Sequence, residues 1–130
     1  MKLYATRLSP DTDLRPAIDH YVESQGITAG VIVSAVGSLG RVRLRMAGGK
    51  SELIREEDFE IVSCTGTVGV GGSHMHLSLS DSKGNVIGGH LKEDGCIIST
   101  TVELVILADP TQKFARRPDL FTGFDELEIQ

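Results

Sequence analysis

The apolar positions follow a helical period only once. Leu14, Ala17, Ile18, Tyr21 and Val22 fall at i, i+3, i+4, i+7 and i+8, which makes one stripe along a helix. Asp11, Thr12 and Asp13 offer N-cap oxygens ahead of it. Pro16 sits early, where its missing N–H costs little, and Gly26 is placed to stop the helix. His20 lies off the stripe and reads as a solvated helix residue. KLYATRL, before the helix, reads as a short strand.

Strand patterns fill the rest. AGVIVSAVG is short, β-branched and apolar, the pattern of a buried strand ending at a glycine turn. GRVRLRM alternates strictly, with Val42, Leu44 and Met46 on one face and Arg41, Arg43 and Arg45 on the other. FEIVSCTGTVGV is another strand, and GCIISTTVELVILAD is a long one closed by Pro110. The tail KFARRPDLFTGFDELEIQ has aromatics among charges without a period, so it reads as an irregular segment over the domain or onto a neighbour. Its Arg116, Arg117 and Asp119 read as structural or interface charges. One helix and many strands, without alternating βα units, predict an α+β fold with a mainly antiparallel sheet.

The stretch GGSHMHLSLSDSKGNVIGGHL carries three of the four histidines. In a strand, His74 and His76 share a face, with Met75, Leu77 and Leu79 on the other. Asp81-Ser82-Lys83-Gly84-Asn85 has the pattern of a three-residue hairpin loop, a type I turn followed by Gly84 in the left-handed conformation. That loop sets Asp81 opposite Asn85 and His76 opposite His90. Opposed Cβ atoms lie about 5 Å apart, and same-face neighbours on one strand roughly 7 Å apart, within imidazole reach of one ion. A loop one residue longer or shorter sends His90 to the other face. Three neutral imidazoles with a position left open form the pattern of catalytic zinc. The bland alternative is a set of solvated histidines on a wet sheet face. Gly88 and Gly89 keep bulk away, letting a ligand or another backbone approach.

An enzyme also needs an acid or base. Glu103, a lone carboxylate in TTVELVIL, is the candidate; its alternative is an arginine-paired strand residue or one facing a subunit boundary. Arg43 and Arg45 could supply a cation to a ligand pocket, or belong to a solvated strand face.

Composition narrows the class. The 130 residues suffice for one domain, 1–130, and 40% are hydrophobic. A net charge of -5 argues against strong DNA binding, which rests on phosphate neutralisation by Lys and Arg. No apolar run reaches the about 18 residues of a membrane span, and MKLYATRLSPDTD lacks a secretory apolar segment. Cys64 and Cys96, in apolar stretches, read as free buried thiols, and the expected location is cytoplasmic.

The segments VSAVGSLGRVRLR, FEIVSCTGTVG, HMHLSLSDSKGNVIGGHL, TTVELVI and FARRPDLFTGFDELE together resemble the plants and prokaryotes conserved domain, also called the PD1-like DNA-binding domain. The resemblance runs over about residues 2–128. It implies an α+β domain whose antiparallel sheet is flanked by few helices and which assembles as a homotrimer. In plant members an AT-hook contacts DNA; its Arg-Gly-Arg-Pro core is absent here. The family is also similar in fold to acetolactate decarboxylase, a zinc enzyme, and by that analogy His74, His76 and His90 are the metal ligands. Three readings follow: a trimeric, nominally DNA-associated binding module with a metal or small-molecule site; a zinc-dependent lyase or hydrolase acting on a small carbonyl or carboxylate compound; and direct, weak DNA binding.

Overall fold

A computed structural model describes residues 1–130. The chain runs β1 (Lys2–Leu8), α1 (Leu14–Ser24), β2 (Ala29–Arg45), β3 (Glu52–Arg55), β4 (Phe59–Gly69), β5 (His74–Ser80), β6 (Val86–Leu91), β7 (Ile97–Ala108), β8 (Phe114–Pro118) and β9 (Asp125–Ile129). Strands β1 to β7 form one sheet in the order β1-β7-β2-β4-β5-β6, with β3 on the far part of β2; every pairing is antiparallel. The α+β class with a mainly antiparallel sheet is thus what the alternating patterns predict.

β2 shapes the sheet. Its first half pairs with β4, and its end pairs with β6 through Leu44↔Leu91 and Arg45↔His90, so β2, β4, β5 and β6 close into a circuit. The expected glycine turn after AGVIVSAVG does not form: β2 runs on as one strand to Arg45. The glycines serve close approach instead. A Cβ on Gly37 would overlap the Thr101 carbonyl, and the register against β7 shifts between Gly37 and Leu39 and again before Arg41. Those irregularities bend the strand so that one long element serves two partners.

The inward face supplies the core. Met75, Leu77 and Leu79 of β5 meet Leu104 and Ile106 of β7 and the helix residues Leu14, Ile18 and Val22 in one buried cluster. Each large aliphatic side chain removed from water contributes about 1.5–3 kcal/mol. Asp13 precedes α1 in the N-cap position, but its side chain caps nothing; Oδ2 accepts the Gly95 N–H at 2.9 Å. The carboxylate ties the helix entry to the turn before β7. Both cysteines are buried and unpaired with each other.

The tail is not irregular. β8 and β9 pair as a separate two-stranded arm, Phe114↔Ile129 through Pro118↔Asp125. Each strand is five residues long, with Leu120, Phe121 and Phe124 in or beside its connecting turn. So short a run beside a long turn leaves no clear alternation to read. The arm docks through Phe114, whose N–H donates to the Thr28 carbonyl and whose carbonyl accepts the Gly71 N–H.

Candidate metal centre

The hairpin geometry starts from one acid. The Asp81 carboxylate accepts the backbone N–H groups of Lys83 and Asn85, both at 2.9 Å. These bonds hold its carboxyl below the usual carboxylate range, Asn85 contributing most. Gly84 sits at φ +81, the left-handed region, and its N–H donates to the Asp81 carbonyl. The Asp81 N–H donates to the Asn85 carbonyl at 2.9 Å. The loop therefore has three residues, and β5 and β6 leave it with Ser80↔Val86 and His76↔His90 opposed.

His74, His76 and His90 come together on the outward face. One ring nitrogen from each falls within 4.8 Å of the other two, and the ring centroids stand 5.0, 5.2 and 5.6 Å apart. Nε2 of His74 is 3.3 Å from Nε2 of His76. Burial pushes His90 down to about 4, with Arg45 and His74 adding to the effect. Burial also lowers His74 from its ordinary value, followed by repulsion from His76. At neutral pH both imidazoles are neutral, the form that offers a lone pair to a metal. Nδ1 of His90 is buried without a hydrogen-bond partner. Three imidazole nitrogen donors converging at this spacing fit zinc, whose bonds to histidine are about 2.0–2.1 Å long.

The other residues singled out in the sequence lie at varying distances from this cluster. Gly88 and Gly89 line a smaller hollow beside His76 and His90. Their lack of a side chain serves backbone approach: a Cβ on Gly88 would lie 2.5 Å from the Leu77 carbonyl oxygen, and one on Gly89 would lie 2.8 Å from that of Arg45. β6 fits between β5 and β2 only because both are glycine. Arg43 is not beside the histidines; it donates to Glu52 at 3.0 Å through two nitrogens and pairs with Asp94. Arg45, two residues on, stands opposite His90. Glu103 is exposed on β7, between Arg7 of β1 and Val36 of β2, and does not line the histidine cleft.

The cleft in front of the histidines has a volume of about 460 Å³. Four parts of the chain build its walls: Arg15 from α1, Arg45 from β2, Ser73 from the turn before β5, and Arg116, Phe124, Asp125 and Glu126 from the arm. Glu93 completes the rim. Arg15 is fixed by donating to the Leu91 carbonyl at 3.0 Å and the Ser73 carbonyl at 2.6 Å. Arg116 donates to the Thr67 hydroxyl at 2.8 Å, and the Arg45 guanidinium lies over the Phe124 ring at 5.4 Å. Arg15, Ser73 and the arm carry no local motif; only the fold brings them here. A run of charged residues folding back as a hairpin is the signal that could have placed Arg116.

Comparison with known proteins gives this arrangement a context. A protein of Synechococcus sp. (strain JA-2-3B'a(2-13)), the bifunctional protein GlmU, is 39% identical over all 130 residues. The chain spans about a fifth of the length of the curated relatives it matches, 20% and 21%. Among solved structures, a hypothetical protein from Salmonella enterica superposes with a TM-score of 0.93 at 37% identity, covering 99% of this chain and 93% of its own. A metal-containing protein from Archaeoglobus fulgidus superposes with a TM-score of 0.79 at 27% identity, covering 98% of this chain and 94% of its own. The model of the Plants and Prokaryotes Conserved (PCC) domain matches residues 1–109, and the chain belongs to that family.

Proposed function

We propose that the chain is a metal-binding module that works as a homotrimer, with zinc or another divalent transition metal held by His74, His76 and His90. The observation that carries the reading is the convergence of three ring nitrogens within 4.8 Å at the mouth of a cleft. The similar protein from Archaeoglobus fulgidus, described as metal-containing, adds support. Three protein donors leave a coordination position for an exogenous oxygen or nitrogen. Held by His74, His76 and His90, a zinc ion would supply Lewis-acid chemistry at that position.

A second reading, metal-dependent lysis or hydrolysis of a small carbonyl or carboxylate compound, draws on the carboxylates at the same cleft. Glu93, Asp125 and Glu126 line it, so any acid or base comes from these rather than from Glu103. Direct DNA binding is the weakest reading, because a chain of net charge -5 gains little from phosphate neutralisation.

Trimerisation would give the outward sheet face a role. Val31, Val33 and Val36 of β2 and Val62 of β4 are 43 to 59% exposed, an apolar set of the kind that subunit contacts cover. Equilibrium dialysis of the untagged chain against zinc tests the centre. One zinc per chain is expected, with His74→Ala, His76→Ala and His90→Ala each losing most of it. Uptake that is unchanged in all three variants would place any metal elsewhere.

A further inference from the structure

Four buried side-chain polar atoms lack a hydrogen-bond partner: Asp13 Oδ1, Arg45 Nε, Ser73 Oγ and His90 Nδ1. Three of the four belong to residues lining the histidine cleft. Buried polar atoms are nearly always paired, so orphans gathered at one place ask for a partner from outside the chain. Ser73 is the clearest, since only 5% of it is exposed.

Two arginines of the cleft lack an ion pair, as does Arg7 on the far strand β1. Arg41, Arg43, Arg55 and Arg117 each form an ion pair on the surface. Arg45 and Arg116 form none, and Arg15 reaches only Asp19 of its own helix, at 3.8 Å. None of the cleft's carboxylates forms an ion pair with them. Glu93 lies 3.7 Å from Lys92, and Glu126 accepts the Thr122 hydroxyl at 2.9 Å. Arg15 is already spent on two backbone carbonyls, which leaves Arg45 and Arg116 with free donors facing the histidines.

We propose that the cleft takes a small organic carboxylate. Arg45 and Arg116 hold its carboxylate, the Ser73 hydroxyl hydrogen-bonds to it, and a second oxygen of the same molecule is directed to the three-histidine centre. Guanidinium pairs with carboxylate through two parallel N–H···O bonds, the strongest arrangement available to a side chain. Glu93, Asp125 and Glu126 at the same cleft oppose every anion, and a compact acid held between Arg45 and Arg116 meets less of that repulsion than an extended polyanion does. A volume of about 460 Å³ lies within the range of small-molecule sites and admits a compact acid with room to spare. Only the contact to the centre rests on the metal reading; the arginine and serine contacts do not.

The test uses malonate as probe and cobalt(II) as a coloured stand-in for zinc, on the full chain. Malonate should perturb the visible bands of the cobalt-loaded protein saturably. In Arg45→Gln and Arg116→Gln the half-saturation concentration should rise about tenfold or more, with cobalt stoichiometry unchanged. Ser73→Ala should raise it less. Cobalt loading without any malonate response, or a response equal in wild type and both arginine variants, overturns the proposal. Inorganic phosphate saturating at lower concentration than malonate overturns the carboxylate assignment. A chain that takes up no cobalt overturns the metal reading instead. The arginine clamp is then read on the metal-free chain: a malonate-dependent rise in melting temperature that Arg116→Gln abolishes supports it, and no rise overturns it.

Discussion

At the scale of single residues, the site depends on what surrounds three imidazoles more than on their number. His90 is set between β5 and Arg45 of β2, and burial followed by that cation pushes it down to about 4. The unfolded chain, with an ordinary histidine near 6.5, therefore takes up the proton first as pH falls. The stability tied to neutral His90 is complete above about pH 6.5 and is lost as pH falls toward about 4. His74, lowered mainly by burial, moves the balance in the same direction. Urea unfolding of the metal-free chain should show the midpoint falling between pH 7 and 4.5, and falling less for His90→Gln. Parallel curves for the two proteins would contradict this. Glu103 shows what a single residue does not disclose. A lone carboxylate in an apolar run marks an outward position on a strand, yet says nothing of which neighbours that face meets. Here they are Arg7 and Val36.

At the scale of elements, the histidine hairpin was legible because everything it needs is local. Strand alternation fixes the face of His74 and His76, and Gly84 at φ +81 with the Asp81 carboxylate fixes the loop length. Register follows from the loop, and His76↔His90 follows from register. Elements whose position depends on tertiary closure were not legible. β2 reads as two strands because Gly37 and Gly40 look like a turn, whereas Gly37 is required by the approach of Thr101. The arm of β8 and β9 reads as irregular, so Arg116 reads as a structural or interface charge, although the folded arm turns it toward the histidine cleft. β6 is the element on which the centre is most sensitive. Gly89→Ala would press a methyl against the Arg45 carbonyl and the Met46 side chain, at 2.8 and 2.9 Å, and push β6 away from β2. A loss of about 1–3 kcal/mol in urea unfolding is expected, as for overpacking elsewhere. Zinc affinity should weaken with it, because His90 moves with the strand. Unchanged stability would mean that β6 is not confined in this way.

At the scale of the whole molecule, one curled antiparallel sheet serves two purposes. Its inward face is a continuous core from Leu8 to Ala108, and its outward face carries the histidines on one side and a band of valines on another. No helix is long and apolar enough to cross a membrane. If the valine band is a contact between copies, multi-angle light scattering should give three times the chain mass of 14.0 kDa. Val36→Asp should lower that mass while leaving far-ultraviolet circular dichroism unchanged. A wild-type mass of one chain would contradict the trimer and leave the metal centre to be judged by itself. The separate β8–β9 arm leaves Leu120 and Phe121 of its turn 104% and 99% exposed, a second apolar patch of the kind that a neighbouring copy covers.

The central claim is that His74, His76 and His90 form one metal centre at the mouth of the arginine-lined cleft. X-ray anomalous scattering at the zinc edge, on crystals of the untagged chain grown with zinc, tests it most directly. One strong peak per chain is expected, bonded to a ring nitrogen of each of the three histidines at about 2.0–2.1 Å. Absence of a peak there, or a peak bonded to other residues alone, would contradict it.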